Sequence, residues 1–474
     1  MLPDDVVLEI FDFCRQNHDL ELHWPSEVEW KWHILAHVCR RWRHITFASP
    51  LRLNLRILCT YGTPVRKSLD IWPTFPIVIG YNRHRNGFTP DFVPTDEDNV
   101  IAALEHTSRV CEVRLTVAGP QLGRVATMMQ EPFPALTHLT LLSEDTNVPV
   151  LPGQFLGRSA PCLQELRLDG IPFPALPILL PSASDLVTLT LFNIPHIGYI
   201  SPEAMVAGLA TLPRLRTLSI GFRSPNSRPD EIHLPPTTRT VLPALTFFEF
   251  RGVREYLEDF AARIDTHLLN RMEIKYLNQL VDFEVPQLSR IIDHSEALKG
   301  PMDCSITFHP HRIIFSVTPS DTPESDDPQS DFYIDFSILC EGIDWQVSHL
   351  TRVLSQLSPV SSNTIVLTIN SNLHPRTPKP EDSDIDDLEW LQLLSLFSSV
   401  QVLIVDMHYS GHVSRILEGV AGMTAIEVLP ALDTLSLIGQ SLPSVEKFIA
   451  ARRDSGRPVA TVNGKTESEN INKR

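Results

Sequence analysis

Pro161-Cys162-Leu163-Gln164-Glu165-Leu166-Arg167-Leu168 decides how this 474-residue chain is read. Its core is a six-residue pattern, apolar-x-x-apolar-x-apolar. The last two apolar positions lie two residues apart, so both side chains fall on one face of a strand. The pattern recurs as Val110-Val113-Leu115, Leu136-Leu139-Leu141, Leu186-Leu189-Leu191, Leu215-Leu218-Ile220, Leu245-Phe248-Phe250 and Leu269-Met272-Ile274. Counting the opening copy, successive first positions are 26, 27, 23, 29, 30 and 24 residues apart. Two later copies are Val400-Leu403-Val405 and Leu432-Leu435-Leu437. One strand and one returning segment per 23–30 residues predicts an α/β repeat solenoid, with a parallel inner sheet and outer helices.

Proline marks the register. Pro134, Pro161, Pro213, Pro243 and Pro430 each stand two residues before the first apolar position of a copy. Lacking an N–H and restricting the residue before it, proline ends a helix and opens the approach to a strand. Helical spacing appears between strands. Ser201-Pro202-Glu203 offers a capping hydroxyl with Pro at the first helical position, Asn99 reads as the cap of a helix over 100–106, and 255–264 and 286–298 have helical periodicity. The array resembles the leucine-rich repeat family, departing from it where Glu144, Ile171 and Ile194 occupy the place usually held by Asn.

The chain holds 57 carboxylates against 40 Lys and Arg, a net charge of −17. That sign argues against a sequence-independent nucleic-acid binder and against anchoring on an anionic membrane. The excess is local: 313–351 contains eight carboxylates and 381–389 six, with no Lys or Arg in either stretch. Their Asp-, Ser- and Pro-rich parts, 320–331 and 381–387, read as loops leaving the array. No apolar run reaches the ~18 residues of a membrane span. Seven cysteines without a C-x-x-C pair read as reduced thiols of a cytoplasmic or nuclear protein.

The first fifty residues have a different character. Leu2-Pro3-Asp4-Asp5 places Pro and two acids at a helix start, followed by an apolar face on Val7, Ile10 and Phe11. A second helix is expected over 30–47, with Leu35, Val38, Cys39 and Trp42 on one side. Leu2-Pro3-x-x-x-x-Leu8-x-Ile10-Phe11 followed by His37-Val38-Cys39-Arg40-Arg41-Trp42-Arg43 resembles an F-box. The resemblance implies docking on the adaptor subunit of a Skp–cullin–F-box ubiquitin ligase through Leu2, Pro3, Val7, Ile10, Phe11, Leu35, Val38, Cys39 and Trp42. Together with the repeats, it is similar to the F-box proteins with irregular leucine-rich repeats common in mushroom-forming fungi.

The expected organisation is a helical F-box module over 1–50, a connecting segment over 51–98 and a repeat array over 99–299. An irregular region over 300–370 follows, with a β-hairpin (305–308 and 313–317) and an acidic loop. C-terminal repeats over 371–462 and a flexible tail over 463–474 complete the chain. Within the repeats, the fifth pattern position is expected to face solvent, giving a target-binding row of Arg114, Thr140, Arg167, Thr190, Ser219, Glu249, Glu273, Ile404 and Ser436.

Other groupings have bland readings. Arg40, Arg41 and Arg43 sit among acids and read as a solvated helix face. His33 with His37, and His309 with His311, lack a third ligand. Asp382, Asp384 and Asp386 imitate a calcium loop, but Asp387 and Leu393 stand where Gly and Glu are required. Ser383 among acids is a candidate phosphorylation site. No nucleophile elbow, P-loop or dinucleotide fingerprint occurs, so no catalytic residue, metal or cofactor is expected. The sequence reading is a non-catalytic substrate receptor for an unknown protein target, with a ligase-independent repeat scaffold as the alternative.

Overall fold

A computed structural model describes residues 2–19, 32–50, 52–61, 63–81, 94–227, 238–277, 284–320, 332–340, 343–372, 387–420, 428–438 and 445–461. The candidate calcium-loop acids Asp382, Asp384 and Asp386, and Ser383, lie outside these residues, as do 321–331 of the acidic loop. The chain forms two compact units: 1–200 with 211–215, and 201–210 with 216–474.

The first unit contains α1 (Asp4–Asp19), α2 (Trp32–Val38), α3 (Arg40–Ala48), β1 (Ile57–Cys59), α4 (Val65–Ile71), β2 (Ile77–Tyr81), α5 (Pro94–Leu104), β3 (Val110–Thr116), α6 (Gly119–Met128), β4 (His138–Leu142), β5 (Glu165–Asp169), α7 (Leu176–Leu179) and β6 (Thr188–Ile194). Strands β1 to β6 pair in chain order and all in parallel. The repeat pattern lines up across them. Val113, Leu139, Leu166 and Leu189 make one lateral row, and Leu115, Leu141, Leu168 and Leu191 the next. All eight are buried, and each buried leucine contributes roughly 1.5–3 kcal/mol of transfer free energy.

Three local expectations change. The segment over 51–98 carries two strands and a helix that extend the sheet. Helix α5 starts at Pro94, five residues before Asn99, because Pro fits the first turn and Asp96 and Glu97 favour its positive end. Asn99 instead accepts a hydrogen bond from the Val65 amide at 3.3 Å, tying α5 to α4. The helix expected over 30–47 is two helices broken at Cys39, whose extended backbone (φ −158°, ψ 170°) lets its sulfur cap α3 by accepting from the Trp42 amide.

The second unit contains α8 (Pro202–Leu209), β7 (Thr217–Phe222), β8 (Thr240–Val241), β9 (Phe247–Gly252), α9 (Arg254–Arg263), β10 (Ile264–Asp265), β11 (Arg271–Tyr276), α10 (Pro286–Asp293), β12 (Met302–His309), β13 (Arg312–Pro319), β14 (Tyr333–Leu339), α11 (Ile343–Gln356), α12 (Ser358–Asn363), β15 (Thr364–Ser371), α13 (Asp387–Ser395), β16 (Val402–Val405), α14 (Ser410–Gly419), β17 (Thr434–Leu437), α15 (Glu446–Asp454) and β18 (Ala460–Thr461). Its main sheet runs β7-β9-β11-β14-β13-β12-β15-β16-β17-β18, while β8 pairs separately with β10. Every pairing in that sheet is parallel except those of β13, which runs antiparallel to both neighbours. The irregular region is thus built into the sheet: β12 and β13 form the expected hairpin, and β14 returns to lie beside β11. The expected cap of α8 is present, Ser201 Oγ accepting from the Ala204 amide at 3.2 Å.

Consecutive helices touch as the strands do, α8 on α9, α9 on α10, α13 on α14 and α14 on α15. Two of these junctions share a device. Helix α10 starts after Val285 and α15 after Val445, neither of which has a side-chain acceptor to cap the helix. Glu258 of α9 supplies it for α10, accepting from the Gln287 and Leu288 amides at 2.8 and 3.1 Å. Glu418 of α14 does the same for Lys447 and Phe448 at 2.8 and 3.4 Å. Each carboxylate meets amides left unpaired in the first turn and favours its partial positive charge. Both units are thus α/β and solenoid-like, built on mostly parallel sheets. Among the described residues, no helix is long and apolar enough to cross a membrane.

Candidate interaction surfaces

The helical module at the start of the first unit presents one candidate surface. Val7 and Phe11, expected on the docking face, are buried instead: Phe11 is 0% exposed and meets Trp42 edge-to-face at 4.9 Å. They form the seam on which α1 and α3 pack. Helical residues three and four apart share a face, and Val7-Phe11 and Val6-Ile10 are both such pairs, so spacing alone does not decide which is covered. The second stripe is the exposed one, and it runs Leu2, Val6, Ile10 and Phe13, with Phe13 65% exposed. Helix α2 adds a parallel case in Ile34 and Val38, four residues apart and both exposed. Pro3 and Cys39 are exposed, and Leu35 and Trp42 half-buried. Val6, Phe13 and Ile34 were missed, although their spacing was in the sequence.

Charged side chains hold this module in shape. Arg41 pairs with Asp4 at 2.6 Å and also donates to the Leu2 carbonyl, while Arg52 holds Asp12 at 2.7 Å and Glu9 at 2.5 Å. Arg43 donates to the Ala36 carbonyl at 2.9 Å. Arg41 and Arg43 of the cluster therefore serve the fold. Aromatic edges join the module to the first repeat: Phe47 lies 6.1 Å from Trp72 and 5.7 Å from Phe75, and His37 lies 5.8 Å from Trp72.

The open faces of the sheets are the other candidates. In the first unit, Arg114, Thr140, Arg167 and Thr190 stand in one lateral row across β3 to β6. The arginines are half-buried, but Thr140 and Thr190 are only 8% exposed, contrary to a solvent-facing row. Strands lie about 4.8 Å apart, so a short threonine beside a long arginine is shaded by it. Arg114 is engaged, its Nε lying 2.7 Å from Glu112, which Arg56 also approaches at 3.3 Å. Arg167 differs. It lies 6.0 Å from the centre of the Phe192 ring and has no hydrogen bond or ion pair among the described residues, and its Nε is sealed from solvent.

In the second unit the row reads Ser219, Glu249, Glu273, Asp335, Ser316, Ser305, Thr368, Ile404 and Ser436. The irregular strands contribute Asp335, Ser316, Ser305 and Thr368, which lie outside the repeat pattern and were not foreseen. Ser219, beside Glu249, is 3% exposed and does not face solvent. Three adjacent strands thus carry carboxylates on one row, an arrangement that repels itself unless cations or donors intervene. Lys275 approaches Glu249 at 3.3 Å and Glu273 at 3.6 Å, and Arg271 approaches Glu273 at 3.4 Å. Asp335 accepts from Tyr333 at 2.8 Å and from Ser316 at 3.1 Å. Burial, with the Asp335 hydrogen bond, pushes the Tyr333 phenol up to about 12. Arg271 is sandwiched between Phe247 and Tyr333 at 5.2 and 5.7 Å. The charges are therefore segregated along the rows, cations and hydroxyls in one unit and neutralised carboxylates in the other.

Among the described residues, no group of three His, Cys, Asp or Glu side chains is placed to hold a metal ion. No protein-family model matches this chain, and a search of curated proteins finds no match.

Proposed function

We propose that this protein is the substrate-recognition subunit of a Skp–cullin–F-box ubiquitin ligase, with its helical module docking the adaptor and its repeats holding a protein target. The chain itself would catalyse nothing. Its contribution is proximity, because bringing a target beside the transfer machinery converts an encounter between molecules into one within a complex. The carrying observation is the exposed apolar stripe of Leu2, Val6, Ile10 and Phe13, with Ile34 and Val38 on the neighbouring helix. A helix that is apolar on a solvent-facing side needs a partner to cover it. The motif resemblance supplies the identity of that partner.

The test is retention of a purified Skp-type adaptor by the tagged full chain. Native protein should retain it, and Ile10→Asp with Val38→Asp should abolish retention while leaving the helical circular dichroism intact, since both positions are exposed. Phe11→Ala should instead lose the fold of the module, as emptying a buried aromatic site costs about 3–5 kcal/mol. If the native chain retains no adaptor, the ligase reading fails and the repeats stand as an independent scaffold.

A further inference from the structure

We infer that Arg167 is the anchor of a docking site for an acidic protein segment, a carboxylate seated on its guanidinium and an adjoining apolar side chain resting on Phe192 and Leu142. This deepens the target-binding part of the proposed function and rests on it. Arg167 has no partner anion among the described residues. Along its own strand, the same-face neighbours at i−2 and i+2 are Glu165 and Asp169, yet neither pairs with it. Asp169 accepts instead from the Asn193 side-chain Nδ2 at 2.7 Å. Arg114 shows what a satisfied arginine in this row looks like, with its own i−2 carboxylate, Glu112, at 2.7 Å. Arg271 of the second unit, also stacked on aromatic rings, has Glu273 within 3.4 Å. Arg167 alone of these three has the ring and no anion.

Its surroundings fit a carboxylate. In its row it is flanked by Thr140 and Thr190, whose hydroxyls can donate. The planar guanidinium offers paired donors in a fork that matches a carboxylate, and it lies over the Phe192 ring, 6.0 Å from its centre. A preorganised cation loses less freedom on binding than a mobile surface lysine. One row over, Leu142 and Phe192 are half-buried apolar side chains on β4 and β6, on either side of Asp169. The site therefore selects a carboxylate next to an apolar or aromatic residue.

The experiment uses the purified full chain, without adaptor, to pan a phage-displayed random dodecapeptide library. Winning peptides are then synthesised and titrated by fluorescence anisotropy. Winners should carry Asp or Glu beside an aromatic or branched apolar residue. Arg167→Gln should weaken binding about tenfold or more, equivalent to about 1.4 kcal/mol, and Arg167→Lys should weaken it less. Phe192→Ala should weaken it as well, and Arg66→Gln, an exposed site elsewhere, should not. Replacing the peptide's Asp or Glu by Asn or Gln should reproduce the Arg167→Gln loss and not add to it. The inference is overturned by an absence of acidic winners, by equal binding to folded Arg167→Gln, or by phosphoserine peptides that bind far more tightly than their Glu counterparts. Because no adaptor is present, failure here leaves the adaptor result standing, and the reverse.

Discussion

Glu258 offers the sharpest test of how one repeat is fastened to the next. It accepts from the amides of Gln287 and Leu288, the second and third residues of α10, whose own cap residue, Val285, has no side-chain acceptor. Glu258→Ala leaves both amides without that acceptor. An orphaned buried donor costs about 1–3 kcal/mol, and removal of a helix cap typically about 1 kcal/mol, so a loss of about 1–3 kcal/mol is expected at neutral pH. The carboxylate is itself a compromise. Burial pushes the Glu258 carboxyl up, outweighing the two backbone hydrogen bonds and the Arg254 and Arg290 charges that pull it down. A carboxyl raised above its unfolded value of 4.5 contributes stability that is full below that value and is lost as pH rises through the folded one. Glu258→Gln keeps an acceptor oxygen and removes the titration. It should therefore lie within about 1 kcal/mol of the native chain at pH 7, in line with the net worth of one hydrogen bond, and show a flatter stability profile above pH 4.5. Urea unfolding across pH 4–8, with amide exchange read at Gln287 and Leu288, measures both effects. If Glu258→Ala leaves those two amides as protected as before, the carboxylate is no cap and the reasoning fails.

Two further outcomes follow from the buried cluster of Phe308, Trp390, Tyr409 and His412. His412 Nδ1 lies 2.6 Å from an Arg415 nitrogen that can only donate, so Nδ1 accepts and the ring is neutral, while Asp387 stands 3.6 Å from Nε2. Burial first, then Arg415, lowers the His412 pKa below 6.5 against the opposing pull of Asp387. Stability from the neutral ring is present above pH 6.5 and lost as pH falls through the lowered value, so acid should weaken the second unit and His412→Gln should flatten that limb of a urea-midpoint profile. Trp390 is fully buried and its Nε1 has no acceptor among the described residues. Trp390→Ala should cost about 3–5 kcal/mol, whereas Trp390→Phe, which also removes the unpaired N–H, should lower the urea midpoint far less.

The repeat register was legible because a parallel ladder stacks equivalent residues. Leu139, Leu166 and Leu189 could be aligned in the sequence and lie in one row in the fold. The strands β1 and β2 escaped notice because they carry only part of the pattern, Ile57 and Cys59 against Ile77, Ile79 and Tyr81. Which stripe of α1 would be covered was not legible either, since Val6-Ile10 and Val7-Phe11 have the same spacing and only packing on Trp42 separates them. Nor could the sequence show Arg167 to be unpaired among the described residues. Arg114 and Arg167 occupy equivalent positions two strands apart, each with Glu two residues earlier, and the difference between them lies in side-chain direction.

The order of strands around β13 has a consequence for how the second unit assembles. A repeat array can grow from one end, each new strand resting on the last. That rule stops at β11, because the strand that pairs with it, β14, follows two others in the chain. The β12–β13 hairpin pairs residues close in the chain, from Met302 with Pro319 to His309 with Arg312, whereas Tyr333 pairs with Arg271 across the whole of β12 and β13. Closure across so long a separation is slow compared with neighbour-to-neighbour growth. The joints of β11 with β14 and of β12 with β15 therefore each close a longer stretch of chain than a regular repeat, and the β12–β13 hairpin is the keystone between them.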